Sequence, residues 1–452
     1  MALAPPQLLS DAPGPPRLIS DEPELSNTTA WQGLWRFAER VSGVLPGLPA
    51  SSPVLVTGDW GSGKTTLLRA VSRSLQNSGH PVIWFDAWRY EGERDLLPAL
   101  IRQIWESTPE SFRRSERHAR LFRSLWVTAL VLAGRVIPAA AQGMMAAAAA
   151  PAAGVVTGAI AAGKALAETS LDDVSKDVET IEKAASSSEE TVPRDATKEL
   201  WSRLAKLVEE AWPDQTPFVV IDDLDRCAPS GAIGLLDAMR LFVTSAPSLN
   251  CRFIVALDRT MIVQAISQKF GGAASYDSNR YLEKVFPISF SVPVPDTTDV
   301  AQLVQLFIGN SAVQSEGQDH VNAISIALSS PLFANPRLMK RCLNKYRLVL
   351  YFERSSPRAV VADFSANSRL ASWIAASERW PTLRRAIHRG TDFWNDVRAA
   401  VKGEPHKGDV EIRGLLDQQG VLHWLGKGLE EGAEPFAKNF GAADVRLQRW
   451  GM

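Results

Sequence analysis

"GDWGSGKTTLL", residues Gly58 to Leu68, decides how the chain is read. It fits G-x-x-x-x-G-K-[ST] in full, with the apolar run "SPVLVTG" before it and "TTLLRAVSRSLQNSG" after it. That order predicts a short buried strand, a glycine loop and a helix ended by Gly79. Glycines let backbone N–H groups turn inward around an anion, and the following helix offers the positive end of its dipole. The loop of Gly58, Asp59, Trp60, Gly61, Ser62, Gly63, Lys64 and Thr65 is therefore expected to hold the phosphates of a nucleoside triphosphate, with Thr66 counted beside it in the first helical turn. Lys64 would place a point charge between the β- and γ-phosphates, and the Thr65 hydroxyl would ligate Mg2+.

Such a loop needs an acidic partner on a neighbouring strand, and "FVVIDDLDRC" supplies one. Four apolar residues, Phe218 to Ile221, deliver Asp222 to the sheet edge, where its carboxylate can hold the magnesium ion through the ion's water shell. Asp223 follows, placed to orient and polarise an attacking water. Asp225 and Arg226 either brace the loop as an ion pair or face the phosphates. Charge that develops on a transferred phosphoryl group calls for a mobile cation, for which Arg280 and Arg337 are the candidates, with Lys284 a helical turn after Arg280. Asp258, ending "FIVALD", is either a sensing residue or a strand-end cap.

The rest of the chain is read around this pair of motifs. "HPVIWFDAW" and "CRFIVALD" are further apolar runs closing on an acidic residue, and "ISFSV" ends the series, which predicts five strands alternating with helices. The expected class is α/β with a ligand at the C-terminal edge of a parallel sheet. A leading helix places Trp31, Leu34, Trp35, Ala38 and Val41 on one face, with Asn27 or Thr28 as its cap. From residue 296 onward the spacing is helical, and Trp373, Trp380, Trp394, Trp424 and Trp450 are expected in the core of that region. The organisation is then a Pro-rich disordered lead-in over 1–24, the first part of the nucleotide domain over 25–111, an insertion over 112–195, the second part over 196–295, and a helical region over 296–452.

The bulk numbers exclude more than they assign. Lys and Arg number 49 against 50 Asp and Glu, so no global charge draws the chain to nucleic acid, and no basic groove or helix-turn-helix is readable. The three cysteines are far apart and the six histidines lack ligand spacing, which argues against a zinc site or a disulfide framework. The insertion is the ambiguous part. Val136 to Gly163 carries no charge, long enough to cross a bilayer core of about 30 Å. Alanine and glycine drive insertion weakly, however, and Pro138 and Pro151 interrupt any helix. A transmembrane hairpin over 124–167 and an Ala-rich helical insertion packed on protein both stand. In the first case Arg113, Arg114, Arg117, Arg120, Arg123 and Lys164 would hold the nucleotide domain at the cytoplasmic face of the inner membrane.

Taken in order, "GDWGSGKTTLL", "WFDAWRYEG", "FVVIDDLDRC", "FIVALD", "YLEKVFPISFSVP" and "NPRLMKRCLN" resemble the KAP family of P-loop NTPases over residues 20 to 380. "WFDAWRYEG" is the most particular of these; the resemblance makes Trp88 and Arg89 part of a recurrent element near the nucleotide, and Asp86 stands where the family has Asn. The resemblance implies an ATPase of the additional-strand class with five parallel strands and a helical C-terminal region, often with membrane helices between the two nucleotide motifs. It also implies ATP and Mg2+ as ligands and a link to phage exclusion or to membrane-associated signalling. The expected activity is slow hydrolysis that switches conformation or assembly, with a second copy or another protein as partner. The alternative is a nucleotide-stabilised scaffold, membrane-attached through the insertion, with negligible turnover.

Overall fold

The computed structural model describes residues 18–20, 31–50, 52–91, 96–132, 192–245, 250–269, 277–308, 318–354, 364–387, 391–405, 408–418, 420–430 and 442–449. The chain forms two compact units, one of Arg36–Trp60 with Lys64–Val292 and one of Met1–Trp35, Gly61–Gly63 and Pro293–Met452.

The first unit is built on a sheet of five parallel strands, β1 (Val54–Thr57), β2 (Val82–Asp86), β3 (Phe218–Asp222), β4 (Arg252–Leu257) and β5 (Ile288–Ser291), in the order β2-β3-β4-β1-β5. β4 is the additional strand: it pairs with β1 on one side, Val54 opposite Ile254, and with β3 on the other, Phe218 opposite Arg252. All five expected strands are present. β3 is buried along its whole length and β4 along all but its first residue, which is why both read as unbroken apolar runs rather than alternating ones.

Chain order sets the helices that position this sheet. α1 (Gln32–Val44) leads in, α2 (Lys64–Asn77) leaves the glycine loop, and α3 (Leu97–Glu106), α4 (Glu110–Arg113), α5 (Glu116–Leu132) and α6 (Val192–Ala211) lie between β2 and β3. α7 (Pro229–Ser245) joins β3 to β4, and α8 (Arg259–Lys269) and α9 (Ser278–Val285) join β4 to β5. On α1 Leu34, Ala38 and Val41 are buried as the spacing requires and Trp35 is half-buried, while Trp31, also buried, stands one residue before the helix at φ 62° and so is not on its face. The expected caps Asn27 and Thr28 lie outside the described residues. Arg252, at the start of β4, donates to the carbonyls of Pro46 (2.8 Å) and Leu48 (2.9 and 3.0 Å), tying the turn after α1 to the sheet. We expect Arg252→Met to lower unfolding free energy by about 1.5–3 kcal/mol, the worth of hydrogen bonds from a charged donor, as read by denaturant titration.

The expected hairpin over 124–167 is corrected at its start. Residues 124–132 continue α5, a helix packed on α6, and Leu125 and Ala129 are fully buried in the same apolar core as Leu200 and Trp201. Their apolar face is taken by protein, so it is not offered to lipid. Of the arginines expected to flank a membrane, Arg114 pairs with Glu110 and Arg117 with Glu210. The rest of the stretch, 133–167, lies outside the described residues; among the described ones no helix is long and apolar enough to cross a membrane.

The second unit is helical: α10 (Thr297–Ile308), α11 (Gln318–Leu328), α12 (Pro336–Arg354), α13 (Phe364–Arg379), α14 (Pro381–Ile387), α15 (Thr391–Val401), α16 (Val410–Leu416) and α17 (Val421–Glu430). Trp373, Trp380 and Trp394 are buried, and Trp424 tilts against Trp380 with ring centroids 5.8 Å apart. Trp450 lies outside the described residues. Within the lead-in, expected to be disordered, Leu18–Ser20 is instead held on α12. The Asn344 carboxamide accepts from the Ile19 N–H (2.7 Å) and donates to the Ile19 carbonyl (2.9 Å), and Lys340 donates to the Ser20 carbonyl (3.0 Å). One amide side chain satisfying both backbone groups of Ile19 is a contact that composition cannot reveal.

Candidate nucleotide site

Strand ends bring the two motifs together. β1 delivers Gly58, Asp59 and Trp60, and α2 begins at Lys64, so Thr65 and Thr66 fall in its first turn. β3 delivers Asp222, in register with Asp86 of β2. In the loop between, Gly61 and Gly63 sit at φ 79° and 100°. A Cβ on Gly61 would stand 2.6 Å from the Arg337 Cβ, and one on Gly63 would stand 2.7 Å from the Trp31 ring, so these two positions need glycine for space as well as for conformation. The neighbouring Ser62 hydroxyl is buried with no hydrogen-bond partner among the described residues.

Asp222 is 3% exposed, and its Oδ1 has no hydrogen-bond partner among the described residues. Burial, reinforced by the charge of Asp223, pushes its carboxyl up to about 6, while the Thr65 hydroxyl hydrogen-bonds it and works the other way. An orphaned carboxylate oxygen beside a hydroxyl is a set of hard oxygen donors, which fits Mg2+. The cost of burying that oxygen falls away once a cation faces it.

Asp223 stands in the left-handed region at φ 55°, ψ 29°. That conformation costs roughly 1–2 kcal/mol for most residues and is tolerated best by Gly, Asn and Asp. It turns the backbone sharply, so that Asp222 and Asp223 leave the strand in different directions. Burial raises the Asp223 carboxyl above its ordinary value; the Arg226 guanidinium, whose Nε lies 2.9 Å from Oδ1, opposes that.

Lys64 is buried and already engaged. Its ammonium donates to the carbonyls of Gly58 (2.9 Å) and Asp59 (3.3 Å) and lies 3.3 Å from Asp225 Oδ2, which also accepts from the Asp258 N–H (2.9 Å). Asp225 and Arg226 thus have separate partners and do not pair with each other. Asp258 accepts from the Thr260 N–H at 2.9 Å, which caps the start of α8. Sequence gave no sign of which of Asp222, Asp223 and Asp225 would meet Lys64; a tight turn of three residues after β3 decides it.

Other sequence candidates fall differently. Arg280 pairs with Asp277, the cap of its own helix, at 3.4 Å and keeps most of its side chain in solvent. Arg337 lies in the first turn of α12, where the Asn335 side chain accepts from the Arg337 and Leu338 N–H groups. Trp88 and Arg89 lie in the turn after β2, capped by Asp86, which accepts from the Arg89 N–H (3.4 Å). An Asn at 86 could cap equally well, so the Asp here preserves that function. The contact that sequence missed is Arg226 over the rings of Trp60 and Trp88, at 4.7 and 5.3 Å from the ring centroids.

A description of the KAP family P-loop domain matches residues 36–351, more than half of the chain. The chain belongs to the KAP family of P-loop NTPases. As a family member it carries a nucleotide-binding α/β domain, and its sheet has the β2-β3-β4-β1-β5 order given above. One curated relative, the phage T7 exclusion protein of Escherichia coli (strain K12), is 27% identical over 286 residues, which cover 59% of this chain and 34% of that protein. The chain thus spans about a third of the length of that relative. Among solved structures it is similar to Cdc6p from Pyrobaculum aerophilum (11% identity, 95% of this chain and 96% of that one, TM-score 0.39). It is also similar to ORC2 from Aeropyrum pernix (11%, 95% of each chain, TM-score 0.34). At such scores the KAP fold is read from its own sheet.

Proposed function

We propose that this KAP protein binds ATP with Mg2+ and hydrolyses it slowly, using the cycle as a conformational or assembly switch. The observation that carries the reading is Asp222: a buried carboxylate with an orphaned oxygen, beside Thr65 and one residue before Asp223. A buried carboxylate with an unsatisfied oxygen beside a glycine loop points to a cationic ligand that would face it.

The residues divide the work. Backbone N–H groups of the glycine loop and the start of α2 bind the phosphates. Thr65 and Asp222 would hold Mg2+, which when bound neutralises charge on the β- and γ-phosphate oxygens. Asp223 orients the attacking water and accepts its proton. Lys64 leaves Asp225 for the phosphates. Arg280 and Arg337 are the candidates for the cation that meets charge on the transferred group.

The T7 exclusion relative supports a role in defence against phage, which for a chain spanning a third of it is a proposal about the shared domain alone. A second reading, a nucleotide-stabilised scaffold with negligible turnover, is favoured by one observation, the internal engagement of Lys64 by Asp225. One comparison separates them: ATP affinity, turnover and oligomeric state of wild type and Lys64→Ala. Hydrolysis predicts Mg2+-dependent turnover in wild type and its loss in Lys64→Ala, with any nucleotide-driven change of assembly lost too. Tight binding with no turnover in wild type would establish the scaffold instead.

A further inference from the structure

We propose that Arg226 is a positioning residue that fixes the Asp223 carboxylate, with the indoles of Trp60 and Trp88 holding its guanidinium in place. The inference rests on the hydrolytic role given to Asp223 above. Nothing in the motif "DDLDRC" assigns such a task to the arginine; the geometry does.

Asp223 needs outside support because its surroundings work against it. The carboxylates of Asp225 and Asp86 act on it with like charge, and Lys64, the other cation acting on it, is taken up by Asp225. Arg226 is the cation in contact among the described residues, Nε to Oδ1 at 2.9 Å, as an ion pair whose N–H is not aligned for a hydrogen bond. The backbone of Asp223 is secured separately. Its carbonyl accepts from the Arg226 N–H (3.2 Å) and from the Cys227 thiol (3.6 Å), which leaves the carboxylate to be steadied by the side chain of Arg226, its contact among the described residues.

A long, flexible arginine positions nothing unless it is positioned itself. The guanidinium carbon lies over both the Trp60 and the Trp88 ring, and a planar delocalised cation is attracted to each. Trp88 is anchored in turn, its Nε1 donating to Glu91 Oε2 at 2.8 Å. Both indoles are 49% exposed, so neither is kept there by core packing. The cluster therefore links three separate segments, the glycine loop, the turn after β2 and the turn after β3, through a single cation. It also accounts for large aromatic residues in two loops that would otherwise favour small polar ones. Lysine in place of Arg226 would keep the charge and lose the flat face.

The test uses the full chain with Arg226→Gln, Arg226→Lys and Trp88→Leu, each made in wild type and in Asp223→Asn. Affinity for the non-hydrolysable analogue AMP-PNP with Mg2+, kcat for ATP, and amide hydrogen exchange across 222–227 in the nucleotide-free protein are measured. Arg226→Gln is expected to lower kcat about tenfold to a hundredfold, a part of what a general base contributes, and to change affinity less than about twofold. Arg226→Lys and Trp88→Leu should fall between it and wild type. In the Asp223→Asn background none should cause a further drop, since residues that act through one another are not additive. Exchange across the turn should quicken in Arg226→Gln and Trp88→Leu. A large loss of affinity at unchanged kcat would make Arg226 a phosphate contact and overturn the proposal, as would equal falls of kcat in both backgrounds. If wild type shows no turnover, hydrolysis itself fails, and exchange then decides: quickening supports the clamp, and unchanged exchange refutes it.

Discussion

Asp223→Asn is expected to keep ATP bound with Mg2+ and to lower its turnover about 10²–10⁴-fold, the range for loss of a general base. Asn matches the shape of Asp, and it shares with Asp the tolerance for the left-handed conformation found at φ 55°. The turn after β3 should therefore survive, and thermal unfolding of the nucleotide-free variant should stay close to that of wild type. What is lost is the acceptor: an amide cannot take a proton from water at neutral pH. Measuring kcat beside equilibrium affinity separates the two effects. Turnover equal to wild type, with binding intact, would remove Asp223 from the mechanism.

Asp222→Asn should do two opposite things. Its carboxyl lies at about 6 in the fold against 3.8 ordinarily, because the charged form is buried. The folded protein thus holds this proton more tightly than the unfolded chain does. The associated stability is fully present below 3.8 and is lost as pH rises through about 6. At neutral pH the charged, unfilled site costs about 1–3 kcal/mol. Asn carries no such cost, so nucleotide-free Asp222→Asn should be more stable than wild type by about that amount near pH 7.5 and should lose the advantage near pH 4. Its Mg2+-dependent turnover should vanish. Denaturant titrations at the two pH values check the first statement. A gain that is the same at both would show that the charge is not its source.

The elements were legible for reasons particular to each. β3 announced itself because "FVVID" is buried on every residue, and a parallel sheet with both faces covered leaves no polar position to break the run. The glycine loop was legible because Gly61 and Gly63 adopt positive φ, where few other residues serve. The stretch from 124 left a membrane hairpin and a protein-packed helix both open because an apolar face looks alike whether lipid or Trp201 covers it; only the partner tells them apart. The partners of Asp223, Asp225 and Arg226 were illegible for another reason. All three share one tight turn, and a single left-handed residue redirects each side chain. Spacing along the chain carries no information about that rotation. The Trp60–Arg226–Trp88 cluster joins segments up to 166 positions apart in sequence (Trp60 to Arg226), beyond the reach of any local pattern.

The engagement of Lys64 by Asp225 and two carbonyls makes ligand capture an exchange. An incoming anion gains only the difference between its own attraction for the ammonium and the attraction it displaces. That difference grows with the number of negative charges it brings. If the loop takes ATP as proposed, a triphosphate would win such a contest where inorganic phosphate or a monophosphate gains little, and Asp225 would act as an internal competitor that sets a threshold of ligand charge.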